Sequence, residues 1–247
     1  GDIFGAPLAM EGLLAFFLEA TFIGLWIFGW GKLPKGVHLA TIWITSIATM
    51  LSGYFILAAN AFMQNPVGYE LNPETQRAEL TDIGAVLANP VAVTQFPHTI
   101  FASIMFAATV MVAVAAWHLS RRQHIPEMRA SLRFGLWANI LAFIGVGLTG
   151  HSLGMVMTAT QPMKMAAAEA LYANASGADA SFSIFSLGTP DGLHEIFSIR
   201  IPYLLSFLSH GDFTSTVHGI NDLQAAYTEM YCGAGSTVLT CPSDGSF

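Results

Sequence analysis

The residues of this chain that are able to do chemistry are few, and they stand in unusual surroundings. Glu11 and Glu19 occupy LAMEGLLAFFLEATFIGLWIFGW, residues 8–30, where nearly every neighbour is apolar. On a helix turning about 100° per residue they lie about 80° apart around the axis and about 12 Å apart along it. Both therefore fall on one broad face. A carboxylate at membrane depth costs on the order of 2.5–3.5 kcal/mol, so such groups usually face a bundle interior and mark proton paths, ion paths or cofactor contacts. The alternative for Glu11 is solvation near the outer boundary. That alternative does not extend to Glu19, which has Phe16, Phe17, Phe22 and Ile23 around it.

His98 follows Pro97 in TQFPHTIFASIMF. Ala102 and Ser103, four and five residues on, leave room for a large flat ligand, and Phe101 and Met105 complete an apolar surround. Neutral imidazole is a common metal ligand, and haem iron takes a proximal histidine. The competing reading is an imidazole satisfied within a core. His38, His118 and His124 border basic loops, His151 lies late in an apolar run, and His194, His210 and His218 belong to the last third of the chain. No HxxxH or CxxC spacing writes a compact metal site locally. In QPMKMAAAE, Gln161, Lys164 and Glu169 share a short helical stretch, but a spacing of five makes Lys164 and Glu169 no i,i+4 pair. By composition alone that stretch reads as a solvated amphipathic helix.

The elements that position these residues follow from composition. Of 247 residues, 53% are hydrophobic and 10% charged, against about 25% charged in soluble domains; the mean hydropathy is +0.55. No Asp, Glu, Lys or Arg occurs in 36–69, 83–120 or 134–163, and each run exceeds the roughly 20 residues that cross a bilayer as a helix. The expectation is an all-α, polytopic transmembrane bundle of four spans, about 4–30, 37–63, 94–119 and 130–158, making up 1–157. The net charge of −7 gives no signal for nucleic acid.

Basic residues cluster at Lys32 and Lys35 and again at Arg121, Arg122, Arg129 and Arg133, while the loop between holds Glu70, Glu74, Glu79 and Asp82 against Arg77. The positive-inside rule puts loops 31–38 and 119–133 in the cytoplasm and 64–93 and 158–247 outside. Trp26, Trp30 and Trp117 fit interfacial anchors. Residues 158–247 are mixed in composition and expected to be partly helical, with MKMAAAEALYAN as one short helix. Cys232 and Cys241 lie on the oxidising side and are expected to form a disulfide, against two free thiols. The opening GDIFGAP and the closing CPSDGSF read as a piece of a longer polypeptide.

Four motifs, GDIFGAPLAMEGLLAFFLEATFIGLWIFGW, LAANAFMQNPVGYELNPET, NPVAVTQFPHT and QPMKMAAAEALY, run in register along nearly the whole chain, and the likeness continues through IPYLLSFLSH. Together they resemble subunit I of the cytochrome bd quinol oxidases. The resemblance implies a terminal oxidase of the bacterial cytoplasmic membrane. It would oxidise quinol at the outer face and reduce dioxygen to water with protons from the cytoplasm, so building a proton-motive force. His98 matches the axial ligand of a low-spin haem b, Glu11 the carboxylate beside the high-spin haems, and Glu19 and Ser52 the proton path to them. Gln161, Lys164 and Glu169 match the quinol-binding loop, here 158–247. Asn60 and MQNP match a family motif without a derived chemistry.

The resemblance also implies a high-spin haem b and haem d in the complete subunit, a second large subunit, often small single-span subunits, and surrounding lipid. The chain departs from it in two ways. Ala20 stands where some members carry a hydroxyl residue, and members have more spans than the four here. The resemblance therefore implies that this stretch alone, without the remaining haem ligands, is inactive. The competing class is a proton-coupled transporter without haem, which also buries carboxylates but would be expected to show an inverted repeat.

Overall fold

The structure, a computed structural model, describes residues 3–75, 77–190 and 194–232. The chain divides into two compact units, Gly1–Leu153 and Gly154–Phe247.

Among the described residues, four helices are long and apolar enough to cross a membrane. The first, α1 (Gly5–Phe28), has its turn Glu11–Phe16 in the π form. Next come α2 (Lys35–Gln64), the antiparallel hairpin β1 (Tyr69–Asn72) and β2 (Arg77–Leu80), and the short α3 (Ile83–Leu87). The remaining spans are α4 (Pro90–Ser120) and α5 (Ile125–Thr160). The helix α4 begins earlier than the hydropathy alone suggested. Pro90 occupies its first turn and the Asn89 side chain accepts from the Val91 N–H at 3.0 Å, a start signal that needs no apolar residue. Asn89 is fully buried and donates from its amide to the Asn65 carbonyl at 2.8 Å. Two Asn-Pro steps thus clasp each other, which gives the MQNP motif a structural role. In the last turn of α2 the Gln64 amide donates to Asn60 Oδ1 at 2.5 Å.

Hydroxyls within the spans give their protons to carbonyls one turn back. Thr45 donates to Thr41, Thr49 to Thr45, Thr99 to Gln95, Ser103 to Thr99 and Thr109 to Met105. In hydrocarbon such internal satisfaction is what makes a polar side chain tolerable. Small residues let helices approach: a Cβ at Gly145 of α5 would fall 2.4 Å from the Phe101 ring of α4, and one at Gly135 would fall 2.9 Å from Val112. The Asn139 amide adds a bond from α5 to Thr109 Oγ1 at 2.7 Å, the kind of polar contact that joins helices in lipid. Large side chains such as Phe16, Phe28, Phe106 and Phe143 remain exposed.

At the end of α1 and start of α2, the His38 ring lies against Trp26 and Trp30, with Nε2 2.8 Å from the Trp26 carbonyl oxygen. At the end of α4, Arg121 sits 4.3 Å over the Trp117 ring, a cation–π contact. Both clusters lie beside the basic loops. At the other end of α1 and α2, Ile3, Phe62 and Val86 form a small core with Phe4, Ala78 and Leu80.

The second unit contains α6 (Pro162–Ala168), an antiparallel hairpin of β3 (Phe182–Gly188) and β4 (Glu195–Ile201), then α7 (Leu204–His210) and α8 (Ile220–Cys232). Met165, Leu171, Ala180, Leu205 and Val217 make its core. Cys232 is disulfide-bonded; Cys241 lies outside the described residues. Neither hairpin was expected from the sequence. The helix expected over MKMAAAEALYAN stops at Ala168. Leu171 N–H reaches back to the Ala166 carbonyl at 2.9 Å and Ala170 N–H to Ala167 at 3.3 Å, with Ala170 left-handed at φ 49°. This is a Schellman stop, built without the glycine that normally announces one.

A left-handed alanine costs about 1 kcal/mol or more. Ala170→Gly is therefore expected to stabilise the second unit by about 1 kcal/mol, read as slower cleavage of the 154–232 region in pulse proteolysis; equal or faster cleavage would contradict this.

Candidate functional site

In the first unit His98 is held by α5. Its Nδ1 lies 3.3 Å from Thr149 Oγ1, and Thr149 in turn donates to the Gly145 carbonyl at 2.6 Å. A threonine hydroxyl has one proton to give. With that proton committed to Gly145, Thr149 meets His98 as an acceptor, so the network assigns the proton of the neutral ring to Nδ1. Nε2 is then left with its lone pair and has no hydrogen-bond partner among the described residues. Gly150 permits this seat, because a Cβ there would stand 3.2 Å from His98 Cε1. A metal-ligating histidine almost always gives its other N–H to an oxygen, which fixes the tautomer and raises the basicity of the ligating nitrogen. His98 has that arrangement, which would suit Nε2 to hold a haem iron. No group of three or more His, Cys, Asp or Glu able to hold a metal ion occurs among the described residues.

Glu11 and Ser52 are brought together: Ser52 on α2 donates to Glu11 Oε1 at 2.8 Å. Glu11 opens the π turn, a form that occurs mostly as local bulges, frequently at functional sites. Because that turn rotates less per residue than an α-helix, the 80° offset between Glu11 and Glu19 read from a regular wheel does not hold. Glu19 is half-buried at the start of the following α-helical stretch, and no described residue hydrogen-bonds to it. Between α2 and α4 runs a cavity of about 510 Å³ with Ser46, Thr49, Gly53, Phe96, Thr99 and Ser103 among its lining. The Thr49, Thr99 and Ser103 protons are spent on their own helices, so these hydroxyls offer the cavity only lone pairs.

In the second unit the three sequence-singled residues take different stations. Gln161 precedes α6, Lys164 stands on its exposed face, and Glu169 follows its last turn, buried. At 100° per residue Lys164 and Glu169 point about 140° apart. Glu169 Oε2 accepts from the Ser183 N–H of β3 at 2.8 Å. Burial pushes its carboxyl above the ordinary carboxylate range, against the Ser183 N–H and the Arg200 charge, which pull it down. Arg200 was not singled out from the sequence. Its guanidinium donates to the Ala170 carbonyl at 3.1 Å, the Ser181 carbonyl at 3.4 Å and the Ser198 hydroxyl at 2.9 Å, and it pairs with Glu195. The available signal was the one basic residue of the stretch EIFSIRI.

The family model described as cytochrome bd terminal oxidase subunit I matches residues 1–233. Among curated proteins, the chain is 43% identical over 233 residues to cytochrome bd ubiquinol oxidase subunit 1 of Bacillus subtilis, covering 94% of this chain and 49% of that protein. It is 37% identical to cytochrome bd-II ubiquinol oxidase subunit 1 of Escherichia coli, covering 91% and 44%. Its fold matches the solved bd oxidase of Geobacillus thermodenitrificans with a TM-score of 0.80 at 29% identity, covering 94% of this chain and 54% of that one. The chain thus spans about half the length of the curated relatives it matches.

The raised Glu169 carboxyl sets a pH dependence. A carboxyl whose folded pKa exceeds its unfolded value contributes stability in full below the unfolded value and loses it as pH rises through the folded one. Glu169→Gln keeps an oxygen to accept from Ser183 and removes the titration. As pH rises above the ordinary glutamate value, the second unit's stability is expected to fall more steeply with pH in the parent than in this variant. Parallel curves, measured by pulse proteolysis against pH, would contradict the assignment.

Proposed function

We propose a function on one premise: the chain belongs to the cytochrome bd terminal oxidase subunit I family. On that footing it is part of a terminal quinol oxidase of a bacterial cytoplasmic membrane, oxidising quinol at the outer face and reducing dioxygen to water with protons drawn from the cytoplasm. The observation that carries the reading within the chain is His98, whose Nδ1 is engaged by Thr149 while Nε2 is left open. His98 would hold the low-spin haem b, with a high-spin haem b and haem d in the complete subunit. When bound, haem supplies the electron transfer and oxygen chemistry.

The chain's own residues then divide the remaining work. Ser52 orients the Glu11 carboxylate by donating to Oε1, leaving the other oxygen to take or release a proton. Glu19, on the same span, passes protons toward it. In the quinol loop, the exposed Lys164 ammonium donates to a quinone oxygen, Gln161 offers its amide, and Glu169 keeps one oxygen beyond its bond to Ser183. Loops 31–38 and 119–133 face the cytoplasm, and 64–93 and 158–247 face outward. The ring cluster of Trp26, Trp30 and His38 and the Arg121–Trp117 pair mark the interface beside the basic loops, whose Lys and Arg residues support that orientation. Subunit II, small single-span subunits and lipid would cover the exposed apolar faces.

Three variants of the full-length subunit test this reading. Glu19→Ala is expected to cut quinol-driven oxygen uptake by on the order of tenfold or more while sparing the low-spin haem spectrum; unchanged uptake would remove Glu19 from the proton path. Thr149→Val deprives the His98 N–H of its acceptor and makes Nε2 a weaker donor to ferric iron. The low-spin midpoint potential should rise in Thr149→Val and stay near the parent's in Thr149→Ser. A potential unmoved by either would contradict the role of Thr149.

A further inference from the structure

Arg200 makes four hydrogen bonds from a guanidinium that has five N–H groups to give. Two of them reach backbone carbonyls far along the chain, Ala170 at 3.1 Å and Ser181 at 3.4 Å. Those carbonyls stand at the two ends of the segment 170–181, so one side chain draws its neck together. Glu169 and Ser183 lie just outside the neck, one on each arm, and the Ser183 N–H joins the arms again through Glu169 Oε2 at 2.8 Å. Ser183 is also the residue opposite Arg200 across the β3–β4 ladder. Glu169 Oε1 is left without a hydrogen-bond partner among the described residues.

The hairpin is turned in an unusual way to achieve this. Pairing and strand alternation put Ser183, Ser198 and Arg200 on one face and Phe185, Phe197 and Ile199 on the other. The register shift between Ser183 and Phe185 moves Phe185 off the Ser183 face, as bulges do when they re-aim a side chain. The polar face is half-buried and the apolar face exposed, the reverse of the usual antiparallel hairpin. A hairpin that carries an arginine inward and leaves phenylalanines outside has given up apolar burial for that placement. Glu195 stands behind the guanidinium as its ion-pair partner. Burial raises the Glu195 carboxyl, but the Ser198 hydroxyl and the Arg200 guanidinium outweigh it and hold it below the ordinary carboxylate range. The neighbouring ionisable groups are turned elsewhere. Lys164 points about 140° away from Glu169 on α6, the Tyr172 hydroxyl lies beside Gly188, and Asp179 and Glu229 are exposed. Asp222 of α8 accepts from the Asn174 N–H at 3.1 Å. Among the described residues, the charge that acts on the Glu169 carboxyl is that of Arg200.

We propose that Arg200 is a positioning residue for quinol oxidation: it holds the neck of the 170–181 segment so that Glu169 meets a quinol hydroxyl as a carboxylate with one free oxygen. This rests on the quinol-oxidase reading above, in which Glu169 belongs to the quinol loop. The bonds to Ala170 and Ser181 set where the carboxyl stands. The guanidinium charge opposes the burial that favours its protonated form. A quinol hydroxyl needs an acceptor, and an ionised carboxylate is acceptor only. Glu195 tempers the guanidinium, so the two side chains together set the pH below which quinol binding weakens. Lysine at 200 keeps the charge without the planar fork, whereas glutamine removes the charge.

The test uses the full-length subunit in its assembled complex in native membranes, with duroquinol-driven oxygen uptake followed against pH. In the parent, KM is expected to rise as pH falls through the titration of Glu169, and Glu169→Gln is expected to abolish that limb. Arg200→Gln should move the limb about one unit to higher pH and rejoin the parent's KM and kcat on its alkaline side. Arg200→Lys should leave the limb close to the parent's. Glu195→Gln should move it the other way, to lower pH, and decides the matter if haem spectra show that the arginine variants fail to assemble. A role confined to holding the loop would instead lower activity at every pH with the limb in place. A parent without an acidic limb, a limb unmoved by Arg200→Gln and Glu195→Gln, or one moved equally by lysine and glutamine would overturn the proposal and leave the quinol reading standing. No duroquinol-driven uptake in the parent would overturn both.

Discussion

A hydroxyl in an apolar slab has one proton to give, and where Thr149 gives it decides what His98 can do. The bond to the Gly145 carbonyl turns the Thr149 oxygen into an acceptor toward Nδ1, and the ring's remaining lone pair is pushed to Nε2. That arrangement requires α4 and α5 to run close. Gly145 takes the Phe101 ring where a Cβ cannot stand, and Gly150 takes the imidazole itself. The glycines of α5 thus do more than allow packing: they set the distance at which a threonine can choose a histidine's tautomer.

The same constraint, that polar groups in hydrocarbon must find partners within the protein, organises the other intramembrane residues. Most serine and threonine side chains of the spans solve it locally by donating one turn back. Ser52 does not; it spends its proton on Glu11 of the neighbouring helix, and the carboxylate it meets opens the one π turn among the described residues. A hydroxyl that forgoes the easy local bond, beside a carboxylate and an irregular turn, is a concentration of costs that packing alone does not call for. It is the strongest internal reason to treat Glu11 as a working group.

Much of the fold was legible because charge-free runs longer than a bilayer have few alternatives, and three of the four spans stand where those runs lie, while the first was read from the apolar stretch around Glu11 and Glu19. The start of α4 was misjudged because Asn89 and Pro90 begin a helix by capping, which hydropathy does not register. The stop at Ala168 was illegible for a sharper reason: the left-handed position is filled by Ala170, and only a glycine would have betrayed it. Arg200, which ties β4 to the Ala170 and Ser181 carbonyls, makes contacts 19 and 30 residues away that no local pattern encodes. His98 was readable as an imidazole in an apolar setting, yet the 51-residue separation from Thr149 hid what orients it. The proposal that it holds a haem came from the family resemblance, whereas the open Nε2 is an independent physical reason of the structure's own.

The central claim is that His98 presents Nε2 to a haem iron, and the most direct measurement is a reduced-minus-oxidised optical spectrum. Membranes carrying the full-length subunit would be compared with membranes carrying its His98→Ala variant at equal protein content. The account predicts low-spin haem b bands in the parent and their loss in the variant, with bands of other haems retained. Low-spin bands of undiminished intensity in the variant would contradict it, as would a parent that shows no haem at all.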